Sequence, residues 1–237
     1  MPFDSGLALG VVIGTRARRS AVGQALAGRT RVNTFFAPPE DNPTTEGFRE
    51  LLERAQVGIR PLQVGSRGTI QALRALRDGE LLTMQPDVYD NFAGSAVVVP
   101  FRNGLTYAMI GTASLALRSH ATLLPCHTVI EAGGRITIEV RPPLVPVCSD
   151  DAELDAYRLT GLIYAELERL IRSRPEQWVY WQILPDRMVP NVQLQQIARG
   201  DANAWRNSYS SYRSLAQEIV SELSDLRFTL PTLVPPI

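Results

Sequence analysis

Residues 11–26 read VVIGTRARRSAVGQAL: a short apolar run, a Gly-containing loop, and the beginning of a helical pattern. A loop that carries a buried strand into a helix is a common place for an active site. This one holds Arg16, Arg18 and Arg19 followed by Ser20, with no acid, histidine or cysteine among them. No base, nucleophile or metal ligand is therefore available in it. Its residues allow an anion cradle: backbone N–H groups at a helix start, a Ser N-cap, and guanidinium forks suited to phosphate, sulfate or carboxylate. The alternative at this point is a solvated rim, or ion pairs to a partner chain.

Other chemistry-bearing residues are few. The chain has two histidines, His120 and His127, and two cysteines, Cys126 and Cys148. The cysteines form no CxxC pair and no metal spacing, so two buried reduced thiols are expected and no metal site. Cys126 and His127 are strand neighbours pointing to opposite faces and form no dyad. His127 and Glu131 alternate to the same strand face, which allows a His–carboxylate pair. His120 falls in the turn after a helix. A second polar cluster, Asp87, Tyr89 and Asp90, follows a strand in the stretch LLTMQPDVYDN.

These residues need a frame. The length of 237 residues suits one large α/β domain, and 45% hydrophobic with 20% charged residues is the balance of a soluble globule. Net charge is +0, so no overall field recruits nucleic acid or an anionic membrane. All 24 basic residues are arginine, which excludes lysine Schiff-base and lysine-nucleophile chemistry. No stretch approaches the roughly 20 apolar residues of a membrane span, and the start has no charged region before its apolar run. A cytoplasmic protein without a membrane span is expected.

The patterning gives strands at Val11–Ile13 and within RVNTFFAP, LLTMQP and AVVVPF, the first of them expected to be a buried parallel strand. Helices are expected in TTEGFRELLERAQVG and in GTIQALRALRDGE, the latter with Ile70, Leu73 and Leu76 on one face. LTYAMIGTASLALRSH reads as one buried helix. ATLLPCHTVIEAGGRITIEVRPP reads as a hairpin turning at Gly133-Gly134. AELDAYRLTGLIYAELERLIRSRP is an amphipathic helix stopped by Pro175, QWVYWQI is strand-like, and a last helix lies around SYRSLAQEIVSELSDL. No linker separates two domains. The expected fold is α/β: a single three-layer domain with a mostly parallel central sheet.

Five stretches, taken in order, resemble the lipid A biosynthesis lauroyl/myristoyl acyltransferase family, within the wider lysophospholipid acyltransferase fold. NPTTEGFRELLERAQVG is similar to its Asn-Pro segment. IQALRALRDGELLTMQPDV is similar to its LR-x-G-E helix and the strand ending in Pro-Asp. VVVPFRNGLTYAMIGTASLALRSHATLLPCHTV, GGRITIEVRPPL and YAELERLIRSRPEQWVYW resemble its PFFG block, its Gly-hairpin and its PEQW-x-W end. The resemblance implies residues 1–184 as an acyltransferase-like α/β domain; residues 185–237 depart from the family's His-Arg-Arg-Trp ending and are expected to form a helical extension, packed on the domain or on a partner. Trp205, Tyr209 and Tyr212 give that extension an interface-like composition.

Members of the family place an H-x4-D/E pair in the loop after the first strand, the His as base and the acid orienting it. Here the His position falls near Arg16 and the acid near Ser20 or Ala21. Arginine stays protonated and cannot act as a base. The membrane-anchored N-terminal region of the lipid A enzymes is not expected here either. The resemblance places Asp87 beside the acyl groove, with an Asx-turn as the alternative. Arg102 stands for the middle aromatic of Phe-Phe-Gly, making the groove more polar. Two functions follow. One is an accessory or binding subunit, a hetero-oligomer with a partner enzyme or a carrier protein in specialised biosynthesis. The other is an active transferase on a carrier- or CoA-bound anionic substrate, with Arg16, Arg18, Arg19, Ser20, Tyr89 and Arg102 binding and Asp87 or His120 handling protons. Neither needs a cofactor.

Overall fold

The structure, a computed structural model, describes residues 9–14, 30–36, 46–47, 50, 54, 58–87, 96–102, 104–146 and 148–189. The chain forms two compact units. One is built from Ala8–Gln85 and Ser114–Val145, the other from Met1–Leu7, Pro86–Ala113 and Pro146–Ile237. The chain passes between them repeatedly, which is why no single linker is visible in the sequence.

The first unit holds a six-stranded sheet. Its strands are β1 (Leu9–Gly14), β2 (Val32–Phe36), β3 (Ile59–Gln63), β4 (Leu81–Met84), β7 (Thr122–Ile130) and β8 (Ile136–Val140), in the order β3-β2-β4-β1-β7-β8. The expected α/β class holds, and parallel pairing is found between β2 and β3 and between β2 and β4. The other half is antiparallel. β1 runs against both β4 and β7, and β7 runs against β8. The expected parallel β1 is therefore corrected: its apolar run fits a central strand in either direction, so composition left the direction open. Its end, Gly14, pairs with Thr122, at the end of the sheet where β4 and β7 begin.

β3 was not legible, because Arg60 and Pro61 break the apolar run of IRPLQ. Proline cannot donate to a ladder, and it is tolerated here because β3 is an edge strand. The β7–β8 hairpin turns where expected, at Gly133 (φ 85°) and Gly134 (φ 78°). Leu81 and Leu124 are buried together in this unit, with Val32, Cys126 and Val140 packed against them.

The helix after β3 is α1 (Ser66–Arg77). Its buried residues are Gly68, Ala72, Ala75 and Leu76, whereas Ile70 is 51% exposed. The expected face of Ile70, Leu73 and Leu76 is thus rotated. Small residues set the closest approach of this helix, and they outrank the larger aliphatics. At Gly68 a side chain would meet the Gln63 carbonyl and the Phe35 ring. In the expected helix before β3, residues Glu46, Gly47, Glu50 and Arg54 are helical.

The second unit contains the hairpin of β5 (Ala96–Phe101) and β6 (Gly104–Met109), packed on the helix α3 (Ala152–Ser173). β6 corrects the expected single helix over LTYAMIGTASLALRSH: only its second half is helical, as α2 (Gly111–Ser119). A run of small and apolar residues fits a buried strand as well as a buried helix. The pairing of β6 with β5, around a turn with Arg102 at φ 57°, decides for the strand. α2 crosses from this unit into the first at Ala113–Ser114.

α3 is capped by Asp151, whose carboxylate accepts from the N–H groups of Glu153 and Leu154. It ends at Ser173, before Arg174 (φ −147°, ψ 66°), which leaves the helical region as a residue preceding proline does. The strand-like QWVYWQI is corrected as well: Pro175–Gln177 and Val179–Ile183 are 3-10 turns, followed by the short helix α4 (Leu184–Arg187). Its closely spaced aromatic residues serve a cluster of rings, described below, and form no strand. Both cysteines are free as expected; Cys126 is half-buried, while Cys148 is exposed and not buried as expected. Burial pushes the Cys126 thiol up to about 11.

The tight seat of α1 gives a test. Gly68→Ala forces the added methyl against the backbone of Gln63, and is expected to destabilise the protein by about 3 kcal/mol. Urea unfolding of the two proteins measures this; an unchanged midpoint would show that α1 seats differently.

Candidate functional site

The second unit carries a buried polar-aromatic cluster built on the Pro86-Asp87 segment. Asp87 is 1% exposed. Its carboxylate Oδ2 accepts a hydrogen bond from Trp178 Nε1 at 3.1 Å, and its carbonyl accepts from Arg187 Nη1 at 2.6 Å. The carbonyl before it, that of Pro86, accepts from the Tyr164 hydroxyl at 2.9 Å. Three separate elements thus converge on two residues: α3 through Tyr164, the 3-10 turns through Trp178, and α4 through Arg187.

Rings fill the space between them. Phe101 lies edge-on to Tyr164 with centroids 5.7 Å apart, and Trp178 is 4.9 Å from Trp181 and 6.2 Å from Tyr180. Two guanidinium groups close the cluster by stacking, Arg187 over Tyr180 at 5.5 Å and Arg102 over Trp181 at 5.4 Å. Arg102 is held by its backbone as well, its N–H donating to Glu168 Oε2 at 2.9 Å. Tyr164 and Glu168 are four residues apart on α3, hence on one face.

Burial dominates the electrostatics. It pushes the Asp87 carboxyl up to about 6, against the Trp178 hydrogen bond and the nearby Arg187, which both favour the charged form. Burial also raises Tyr164 and Tyr180 above the usual phenol range. Asp87 therefore changes protonation close to neutrality, in a place water does not reach.

Of the residues singled out from the sequence, Asp87 and Arg102 come together in this cluster. Arg16, Arg18, Arg19, Ser20 and Tyr89 lie outside the described residues. His120 belongs to the first unit, exposed at the end of α2 with φ 52°. The expected pairing of His127 with Glu131 is corrected. His127 Nε2 lies 3.3 Å from Glu139 Oε2, its register partner across the β7–β8 ladder, while Glu131 binds Arg135 and Thr137. Four residues along a strand span about 13 Å, whereas directly opposed residues stand about 5 Å apart. Trp178 lies in the PEQW stretch without a role legible from the sequence, and nothing in the sequence marks Arg187. Their signal is spatial: the Pro-Asp and PEQW stretches are 91 positions apart and share one hydrogen bond.

A model of the bacterial lipid A biosynthesis acyltransferases matches residues 21–184. The chain belongs to that family. The match covers both stretches that meet at Asp87 and Trp178, so this acyltransferase-family domain is tied together through two of its own motifs. No curated protein matches the chain. Among the described residues, no helix of this family member is long and apolar enough to cross a membrane. Nor, among them, do three or more His, Cys, Asp or Glu side chains group so as to hold a metal ion.

The raised Asp87 has a signed consequence for stability. Its folded value of about 6 exceeds its ordinary 3.8, so the folded state holds the proton more tightly. The contribution is present below pH 4 and lost as pH rises through 6, on the order of 3 kcal/mol in total. Asp87→Asn keeps an acceptor for Trp178 and removes the titration. Its melting temperature minus that of the wild type is expected to grow between pH 4 and pH 7, and a flat difference would refute the burial argument. Trp178→Phe keeps the ring and deletes the donor, at an expected cost of about 1–3 kcal/mol in chemical unfolding.

Proposed function

We propose that the chain is a binding or accessory member of its family, acting in the cytoplasm with a partner enzyme or a carrier-tethered substrate in specialised biosynthesis. On this reading it does not transfer an acyl group through a His/acid pair of its own. The single observation that carries the proposal is the placement of the histidines. Residues 1–119 contain none, so the loop after β1 has no base. The H-x4-D/E spacing puts the acid at Pro125 for His120 and at Ala132 for His127, and neither residue is acidic. His127 is 5% exposed and faces Glu139 on the sheet. The position that would hold the base falls near Arg16, which does not give up its proton.

Two further features support the reading. Arg102, in place of an aromatic, lays a cation on Trp181 and suits a surface more polar than a fatty-chain groove. Trp205, Tyr209 and Tyr212, in the 185–237 extension, have the composition of a partner-facing surface.

A second reading is favoured by Asp87 alone, since a carboxyl near 6 can exchange a proton at physiological pH. The chain would then be an active transferase on a CoA- or carrier-bound anionic substrate, with Arg16, Arg18 and Arg19 holding the anion.

The two are separated by incubating the full chain with acyl-CoA or an acyl-carrier thioester and a hydroxylated acceptor. Thiol release at the rate of the protein-free blank is expected, together with a second, different chain in the complex isolated from the native host. Thioester turnover that disappears in Arg16→Ala and Asp87→Asn would overturn the accessory role in favour of the transferase.

A further inference from the structure

We propose that a depression in the first unit, away from any residue given a role above except His120, binds the phosphate group of a small phosphorylated molecule. The depression has a volume of about 450 Å3. That is within the ordinary range for small-molecule sites. It is formed where two helices end. α1 supplies Arg77 and the turn after it, Asp78-Gly79; α2 supplies Arg118, Ser119 and then His120. Leu73, one turn back on α1, gives it an apolar wall.

Basic residues at helix C-termini are often explained by the last carbonyl groups and the helix dipole. Here several of those carbonyls are engaged by the backbone. The N–H groups of Asp78, Gly79 and Glu80 donate to Arg74, Leu76 and Ala75, with Gly79 at φ 82° completing the turn. At α2, the N–H groups of His120 and Ala121 donate to Leu117 and Ala116, and the Ser119 hydroxyl caps Leu115 at 2.7 Å. Both helices thus close on themselves without using a guanidinium.

Among the described residues, these two guanidinium groups are also not spent on acids. Arg31, Arg60, Arg135, Arg169 and Arg172 each meet a carboxylate. Among the described residues, Arg77 and Arg118 form no ion pair. Two guanidinium forks and an imidazole therefore share one depression with a single carboxylate, Asp78. A guanidinium fork matches phosphate geometry with two parallel hydrogen bonds, and a phosphomonoester carries close to two negative charges at neutral pH. A monovalent carboxylate ligand would leave one fork unused.

His120 is held at φ 52°, a left-handed backbone that an ordinary side chain adopts at some cost. Glycine performs the same turn after α1. At the end of α2 the chain instead keeps an imidazole on the wall of the depression. The inference does not rest on the accessory role proposed above, since a phosphate can bind whether or not a thioester is turned over.

The chain's two histidines make the test direct. Inorganic phosphate is titrated into the full-length protein at constant ionic strength while both imidazole ring signals are followed by NMR. His120→Asn, which tolerates the same backbone, assigns them. Saturable movement of the His120 signals with His127 unmoved is expected. Arg77→Gln/Arg118→Gln is expected to weaken phosphate binding by about tenfold or more. Arg135→Gln, which removes a charge elsewhere on the same unit, is expected to leave binding within about twofold. A phosphomonoester that binds more tightly than inorganic phosphate assigns the site to an organic phosphate lying along Leu73; equal affinity assigns it to free phosphate. His120 signals that do not move, or that move equally with acetate, would overturn the proposal, as would wild-type affinity in the folded double variant.

Discussion

The indole N–H of Trp178 donates to a carboxylate that its surroundings press toward the neutral form, and the described part of the second unit is organised around that bond. A buried acid with no donor would be expensive to retain. Asp87 is kept because Trp178 reaches it from the 3-10 turns while Tyr164 and Arg187 hold the adjoining carbonyls. Each of those donors is fixed in turn, Tyr164 by the long helix α3, Trp178 by the rings of Phe101, Tyr180 and Trp181, and Arg187 by stacking on Tyr180. Removing any one leaves polar atoms unsatisfied in a dry interior, so the four behave as one device.

The same arrangement limits what Asp87 can do. A group sealed from water and anchored on both its carboxylate and carbonyl sides positions its neighbours more readily than it meets a substrate. In this family member the motif that ends in Pro-Asp and the motif that contains PEQW are two halves of one structural joint.

Much of this was legible in the sequence where local and tertiary demands agree. β2, β4, β5, the β7–β8 hairpin and α3 follow from alternation, glycine turns and a capped amphipathic repeat. Where a segment is apolar on every side, as in LTYAM, periodicity carries no direction, and its pairing with β5 made it a strand. β3 was hidden because an edge strand tolerates the proline that a central strand forbids. At the site, Asp87 and Arg102 could be singled out by motif position. Trp178 and Arg187 acquire their roles only from three-dimensional proximity, and a strand's pitch assigned His127 to Glu139 instead of Glu131.

The direction of β1 has a consequence for how the chain acquires its fold. β1 lies between β4 and β7, with Val12 opposite both Thr83 and Leu124. β1 is the first of the described strands in chain order, and its second edge is covered only once β7, which begins at Thr122, has been made. Until then the backbone groups of that edge face water or a chaperone. A nascent chain halted before residue 122 would hold β1 with one flank open, the kind of surface on which strands from other molecules add.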